Sequence, residues 1–230
     1  MFRILKIVAV SFVVLVLIAA FWLNQRNVNA ARSGVKGPVE YDFPQGGSIA
    51  LDLTAGDYEI RGTPDNKIRI RYSYAKYLND TASINAKING SAANVGISGP
   101  GNSGFHVVIE VPAKSNLKTD LTAGKLSIRG IEGNKELDAN AGKIDIEIGD
   151  TRQYRDVSLT LLSGRLDAHP WQKHSGGLFR HFEYHNSTVG PYHINANLLA
   201  GKLTVDSLAA SDDEEAQPPQ PRDRDRSRFD

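Results

Sequence analysis

No cysteine occurs anywhere in the 230 residues. A disulfide framework and thiol catalysis are both excluded, so the fold must be held by apolar burial and backbone hydrogen bonding. A surplus of either charge is also missing: 27 Lys and Arg against 26 Asp and Glu leave a net charge of +1. That balance argues against a nucleic-acid partner, whose phosphates call for a basic surface. No part of the chain after the first thirty residues carries a strong amphipathic-helix pattern. The GPGNSG segment at 99–104 lacks the Lys-Ser/Thr pair and the following helix of a phosphate-binding loop. No cofactor is indicated.

One long apolar run is present. Arg3 and Lys6 precede an uncharged stretch over 7–23, which gives way to Asn24, Gln25 and Arg26. This is the pattern of an export signal or a membrane anchor. Val28 and Ala30 fit a small-x-small cleavage rule, which would release the chain after Ala30; without cleavage, residues 7–23 would hold it to the membrane. Both alternatives place the body across a bacterial membrane, in the periplasm or on the outer surface of the cell envelope. From Ser211 the text reads SDDEEAQPPQPRDRDRSRFD, with almost nothing to bury; such a tail is expected to be disordered. The expected organisation is 1–30 signal or anchor, 31–38 linker, 39–208 folded body and 209–230 disordered tail.

Within the body one phrase recurs: alternating apolar residues, a small residue, glycine, then alternating apolar residues again. It is centred on Gly56, Gly124, Gly142, Gly164 and Gly201. Before each glycine the apolar side falls at odd offsets, as at Ile49, Leu51 and Leu53; after it, at even offsets, as at Ile144 and Ile146. Period two means strand on both sides, and the change of parity means a structural turn, corner or bulge at the small-Gly pair. Gly124 to Gly142 spans 18 residues and Gly142 to Gly164 spans 22, spacings that suit one coil of a small solenoid. Gly164 to Gly201, at 37, is close to two coils, and Gly56 to Gly124, at 68, leaves room for two or three more. The reading is all-β: a repetitive β-solenoid or single-stranded β-helix-like body, with a β-sandwich as the alternative.

The units Ala55-Gly56-Asp57-Tyr58, Ala123-Gly124-Lys125-Leu126, Ala141-Gly142-Lys143-Ile144, Ser163-Gly164-Arg165-Leu166 and Ala200-Gly201-Lys202-Leu203 resemble the repeats of the bacterial putative adhesin domain family. The PAKSN stretch at 112–116, followed by Leu117, is similar to that family's entry into a unit. The resemblance spans roughly residues 39–208. It implies a β-solenoid-like envelope protein without known catalysis. The chain departs from the family by placing Lys or Arg where Asp is common.

Chemistry is sparse. Asp145 and Glu147 share an outward face, and Asp167 and His169 take the same phase in the next unit. Stacked coils would put Asp145 beside Asp167 and Glu147 beside His169, a candidate set for acid-base hydrolysis of a carbohydrate. A solvated face, with Lys143, Arg165 and Lys202 paired to these acids, is the simpler account. Five histidines, His169, His174, His181, His185 and His193, crowd one stretch that also holds Trp171, Phe179, Phe182, Tyr184 and Tyr192. Imidazoles bind zinc, copper or nickel, so these five are the candidate metal ligands. The stretch otherwise reads as a cap on the apolar end of the body, with 176–179 as a turn followed by an apolar contact. The balance points away from an enzyme, towards an envelope protein presenting a structural, adhesive or sensory surface to another envelope protein or a glycan.

Overall fold

A computed structural model describes residues 36–74, 82–100, 104–186 and 190–207. The apolar run over 7–23, the cleavage point after Ala30 and the charged tail from 209 lie outside the described residues. Among the described residues, no helix is long and apolar enough to cross a membrane.

The body is all-β. Its strands are β1 (Lys36–Asp42), β2 (Ser48–Leu53), β3 (Gly56–Thr63), β4 (Lys67–Ser73), β5 (Ser83–Asn89), β6 (Ala92–Ser98), β7 (His106–Pro112), β8 (Asn116–Arg129), β9 (Lys135–Ile148), β10 (Tyr154–Ala168), β11 (Lys173–His185) and β12 (Tyr192–Ser207). They form one 12-stranded mixed sheet, ordered β1-β4-β7-β3-β8-β9-β12-β10-β11, with β2 joining β8 to β6 and β5. Parallel strands occupy the middle. Antiparallel strands close both ends: β4, then β1, beyond β7; β5 beyond β6; and β11 beyond β10. β1 begins at Lys36 and carries Pro38, which an edge strand tolerates because it has no inward ladder bond to lose.

The glycines of the repeat lie against one another in register: Gly56 pairs with Gly124, Gly124 with Gly142, Gly142 with Gly201 and Gly201 with Gly164. The column continues to Gly177 of β11. At Gly124, Gly142, Gly164 and Gly201, φ lies between +124° and +139°. A Cβ at Gly142 would sit 1.8 Å from the Gly124 carbonyl oxygen, and one at Gly201 1.8 Å from that of Gly142. Each absent side chain is thus replaced by a neighbour's carbonyl. Gly56, at the end of the column, has no positive φ; a Cβ there would meet the Tyr58 ring at 2.9 Å.

The positive φ re-aims the strand by one residue, so both halves turn their apolar side inward. Leu121, Leu137, Ala196 and Leu159 line the first half, and Leu126, Ile144, Leu203 and Leu166 the second, all within one core.

The order of units in space departs from their order in sequence. β12 lies between β9 and β10, so the Gly142 and Gly164 units do not touch. The units present nearly the same edge and the same inward face, so their spacing along the chain does not encode their order. The 37 residues from Gly164 to Gly201 are not two coils: β10 turns back on itself and runs antiparallel as β11. The 68 from Gly56 to Gly124 hold one parallel layer, β6 with β7, stacked on β2 and β3, and not two or three. The GPGNSG segment falls where this layer passes from β6 to β7, with residues 101–103 outside the described set. The turn expected at 176–179 is instead inside β11: Gly177 continues the kink of the glycine column, and Phe179, at φ +52°, is 78% exposed.

One buried charge stands out. Lys135 takes the inward position held by Leu117 and Ile194 in the flanking strands and is fully buried. Its ammonium donates to the carbonyls of Ile131 (2.8 Å) and Gly133 (3.1 Å) and to the Tyr154 hydroxyl (2.5 Å), which uses all three donors. The lysine thereby ties down the loop at 130–134. Burial lowers its pKa to about 7 and pushes that of the Tyr154 hydroxyl up.

Two outcomes are expected. Gly142→Val should cost at least about 3 kcal/mol in urea unfolding, because it adds both a clash and a strained φ; Gly149→Ala, with nothing within 4 Å of its Cβ, should stay within about 0.5 kcal/mol. Below pH 7 Lys135 is charged in both states. Between there and its unfolded value near 10.5 only the unfolded chain holds the extra proton, so stability rises with pH. The rise attributable to Lys135 between pH 7 and 9 should be about 2 kcal/mol and absent from Lys135→Met.

Candidate functional site

The outward residues of the second half-strands form three columns set by the glycines. One residue past each glycine lies a basic column, Lys125, Lys143, Lys202 and Arg165. Three past it come Ser127, Asp145, Thr204 and Asp167; five past it come Arg129, Glu147, Asp206 and His169. Parts of these columns, among them Lys143, Asp145, Glu147, Lys202, Asp206 and His169, line a groove of about 240 Å³.

Asp145 and Asp167 are separated by Thr204 of β12, and Glu147 lies beside Asp206 in place of His169. The two neighbouring pairs expected from sequence order are therefore not formed. With strands about 4.8 Å apart, the backbones of Asp145 and Asp167 are roughly 10 Å apart. Asp145, Glu147 and Asp167 each have a cation: Lys143 lies 2.6 Å from Asp145, Arg129 3.9 Å from Glu147, Arg165 2.8 Å and Lys202 3.5 Å from Asp167.

Asp167 differs from the others. Its side chain is 1% exposed. Burial by itself would raise its pKa, but hydrogen bonds from Arg165 and His174 and the nearby Lys202 outweigh that and hold the carboxyl below the ordinary range. A general acid needs the opposite shift.

The chain then makes a tight 3-10 turn over His169–Trp171, with Pro170 in its first turn and Gln172 in the left-handed region at φ +52°. The reversal sets Lys173 opposite Ala168 and His174 opposite Asp167. His174 Nδ1 lies 3.2 Å from an Asp167 carboxylate oxygen. His169 Nδ1 bonds the Asp206 carboxylate. The two imidazole rings are 5.0 Å apart. One ligand atom from each of Asp167, His169 and His174 falls within 4.8 Å of the others.

The remaining histidines do not join them. His181 lies 2.9 Å from Glu183, His185 2.5 Å from Asp156 and His193 3.6 Å from Glu136, spread along β11 and the start of β12. Trp171 packs on Phe182 and Tyr184, with ring centroids 5.6 and 5.4 Å apart, and all three lie against the core at the end of the sheet. Asp206 was not singled out from sequence. Its signal was there, since it stands five residues past Gly201 just as Glu147 and His169 stand five past Gly142 and Gly164. Leu199, Leu162 and Phe179, on adjacent strands, are exposed at the corner.

No protein-family profile matches the chain, and no curated protein matches it. Among solved structures, the chain is similar to a putative cell adhesion protein from Clostridium sporogenes, at 16% identity and a TM-score of 0.48, over 74% of this chain and 100% of that one. It is also similar to a putative adhesin from Parabacteroides distasonis, at 9% identity and a TM-score of 0.23, over 78% and 98%. A putative lipid binding protein from Parabacteroides distasonis is similar at 9% identity and a TM-score of 0.23, over 77% and 97%. The adhesin name carried by the glycine phrase is thus also the name of structural neighbours.

Asp167→Asn should lower stability at pH 7 by about 1–3 kcal/mol, the scale of hydrogen bonds to a charged group. A carboxyl held below its ordinary pKa stabilises the fold above the unfolded value near 3.8, and that contribution fades as pH falls through the folded value. The difference between the two proteins in urea midpoint should therefore shrink below about pH 4.

Proposed function

We propose that the chain is an exported, non-enzymatic bacterial envelope protein whose body presents a surface in a structural, adhesive or sensory role. The observation that carries this is the outward charge pattern: Arg129, Lys143, Arg165 and Lys202 stand against Glu147, Asp145 and Asp167. Such a face keeps strands soluble. We read the body as solenoid-like. β8 ends at Arg129 and β9 starts at Lys135, paired directly against the start of β8, so five residues close one coil and begin the next. The partner classes that suit such a face are another envelope protein or a glycan.

Export rests on the apolar run over 7–23. The test is a fusion of the full chain to alkaline phosphatase, an enzyme that matures only where disulfides form. The wild-type fusion should be active, and Leu15→Arg with Leu17→Arg should abolish activity. An inactive wild-type fusion alongside an active control would overturn the reading. The mass of the exported species separates release after Ala30 from a retained anchor.

A further inference from the structure

We propose that Asp167, His169 and His174 form a binding site for a divalent transition-metal ion of the zinc class, with Asp206 as the positioning carboxylate behind His169. The site is independent of whether the chain is exported.

Two imidazoles and one carboxylate are a donor set that zinc accepts, with bonds of about 2.0–2.1 Å. Around a tetrahedral ion those bonds place neighbouring ligand atoms about 3.3 Å apart. Asp167 and His174 are already 3.2 Å apart, and the third ligand atom lies within 4.8 Å of both. His169 therefore has to close only part of that distance, and it stands half-exposed at the start of a short turn, where its ring has room to move.

The surroundings hold the ligands in place. Arg165 Nε spans both Asp167 oxygens at 2.8 and 3.0 Å, which fixes the carboxylate plane. The antiparallel pairing of β10 and β11 fixes His174 across from it. His169 Nδ1 bonds the Asp206 carboxylate, the carboxylate–imidazole arrangement that orients a ligand histidine and raises its basicity; with that bond kept, Nε2 is the nitrogen that would face an ion. Of the six histidines, these two alone have rings in mutual contact. The other four, His106 included, each sit with a separate acid.

The test uses the full chain, stripped with chelator, and titrates Zn2+ against a chromogenic competitor. One equivalent should bind. His169→Gln and His174→Gln should each weaken binding more than about 10-fold, and Asp206→Asn by about 10-fold, the scale of an outer carboxylate. His181→Gln and His185→Gln should change nothing. All four histidines are exposed, so these variants keep the fold, and circular dichroism checks that they do. Co2+ bound to the wild-type chain supplies a readout free of any variant: four-coordinate binding gives intense visible absorption, which one equivalent of Zn2+ should displace. Absence of Zn2+ uptake, uptake indifferent to His169→Gln and His174→Gln, or uptake that follows His181 and His185 would each overturn the proposal.

Discussion

The structure depends on one steric fit: the carbonyl of one glycine occupies the space where the next glycine's side chain would be. Gly124 accepts the Gly56 oxygen, Gly142 that of Gly124, Gly201 that of Gly142 and Gly164 that of Gly201. Only a residue without Cβ can do this at positive φ. The fit acts as a register lock, since a slip of one residue would drive a Cβ into a carbonyl and turn every apolar side chain outward. Because the kink moves the side-chain phase by one, the strand can bury one face before the glycine and the alternate set after it. The inward core and the outward columns are both consequences of that locked register.

A stack of this kind has no intrinsic end, and the chain uses its few aromatic residues to make ends. At one side Tyr58, Tyr72, Tyr74 and Phe105 form a cluster with centroids 6.1 to 6.5 Å apart. At the other, Trp171, Phe182 and Tyr184 cover the last parallel strand. The outermost strands are antiparallel, and β11 presents Lys173, Arg180, Glu183 and three histidines. Charged and polar side chains on an edge discourage another chain from extending the sheet. Between these ends the same economy appears in Lys135, a cation in a core column whose three hydrogen bonds hold the loop between β8 and β9. Its burial is tolerated because no donor is left unsatisfied.

Much of this was legible in the sequence, because it rests on local rules. Period-two alternation marked the strands, the parity change at Gly124 and Gly142 marked a kink, and the absence of cysteine left burial as the stabilising force. What was not legible is the order of the strands. β12 enters between β9 and β10, yet no residue of Leu198-Leu199-Ala200-Gly201 distinguishes that slot from the next one out. Near-identical units fit near-identical edges, so the choice is made by the connections. The decisive connection here is the His169–Trp171 turn, which sends β11 back along one edge of β10 and leaves the other free. At the two described ends of the 99–104 segment the glycines have a steric reason: a Cβ at Gly99 would meet the Phe105 ring at 2.2 Å, and Gly104 has φ +63°.

The placement of the candidate site follows from the same reasoning. Within the repeat, every outward position faces its own equivalent on the next strand: Lys143, Lys202 and Arg165 keep one kind of residue along a column, while Glu147, Asp206 and His169 do not. Parallel stacking alone brings together residues of one offset, so joining groups of different offsets, as this ligand set requires, needs a break in that translation. The break occurs where β10 ends: an antiparallel partner sets His174 against Asp167, while β12 brings Asp206 to His169 in the parallel sense. Antiparallel and parallel neighbours thus flank one strand end, and four groups from three segments meet there. In a body built from interchangeable units, the positions where chemistry can gather are those where the interchange stops.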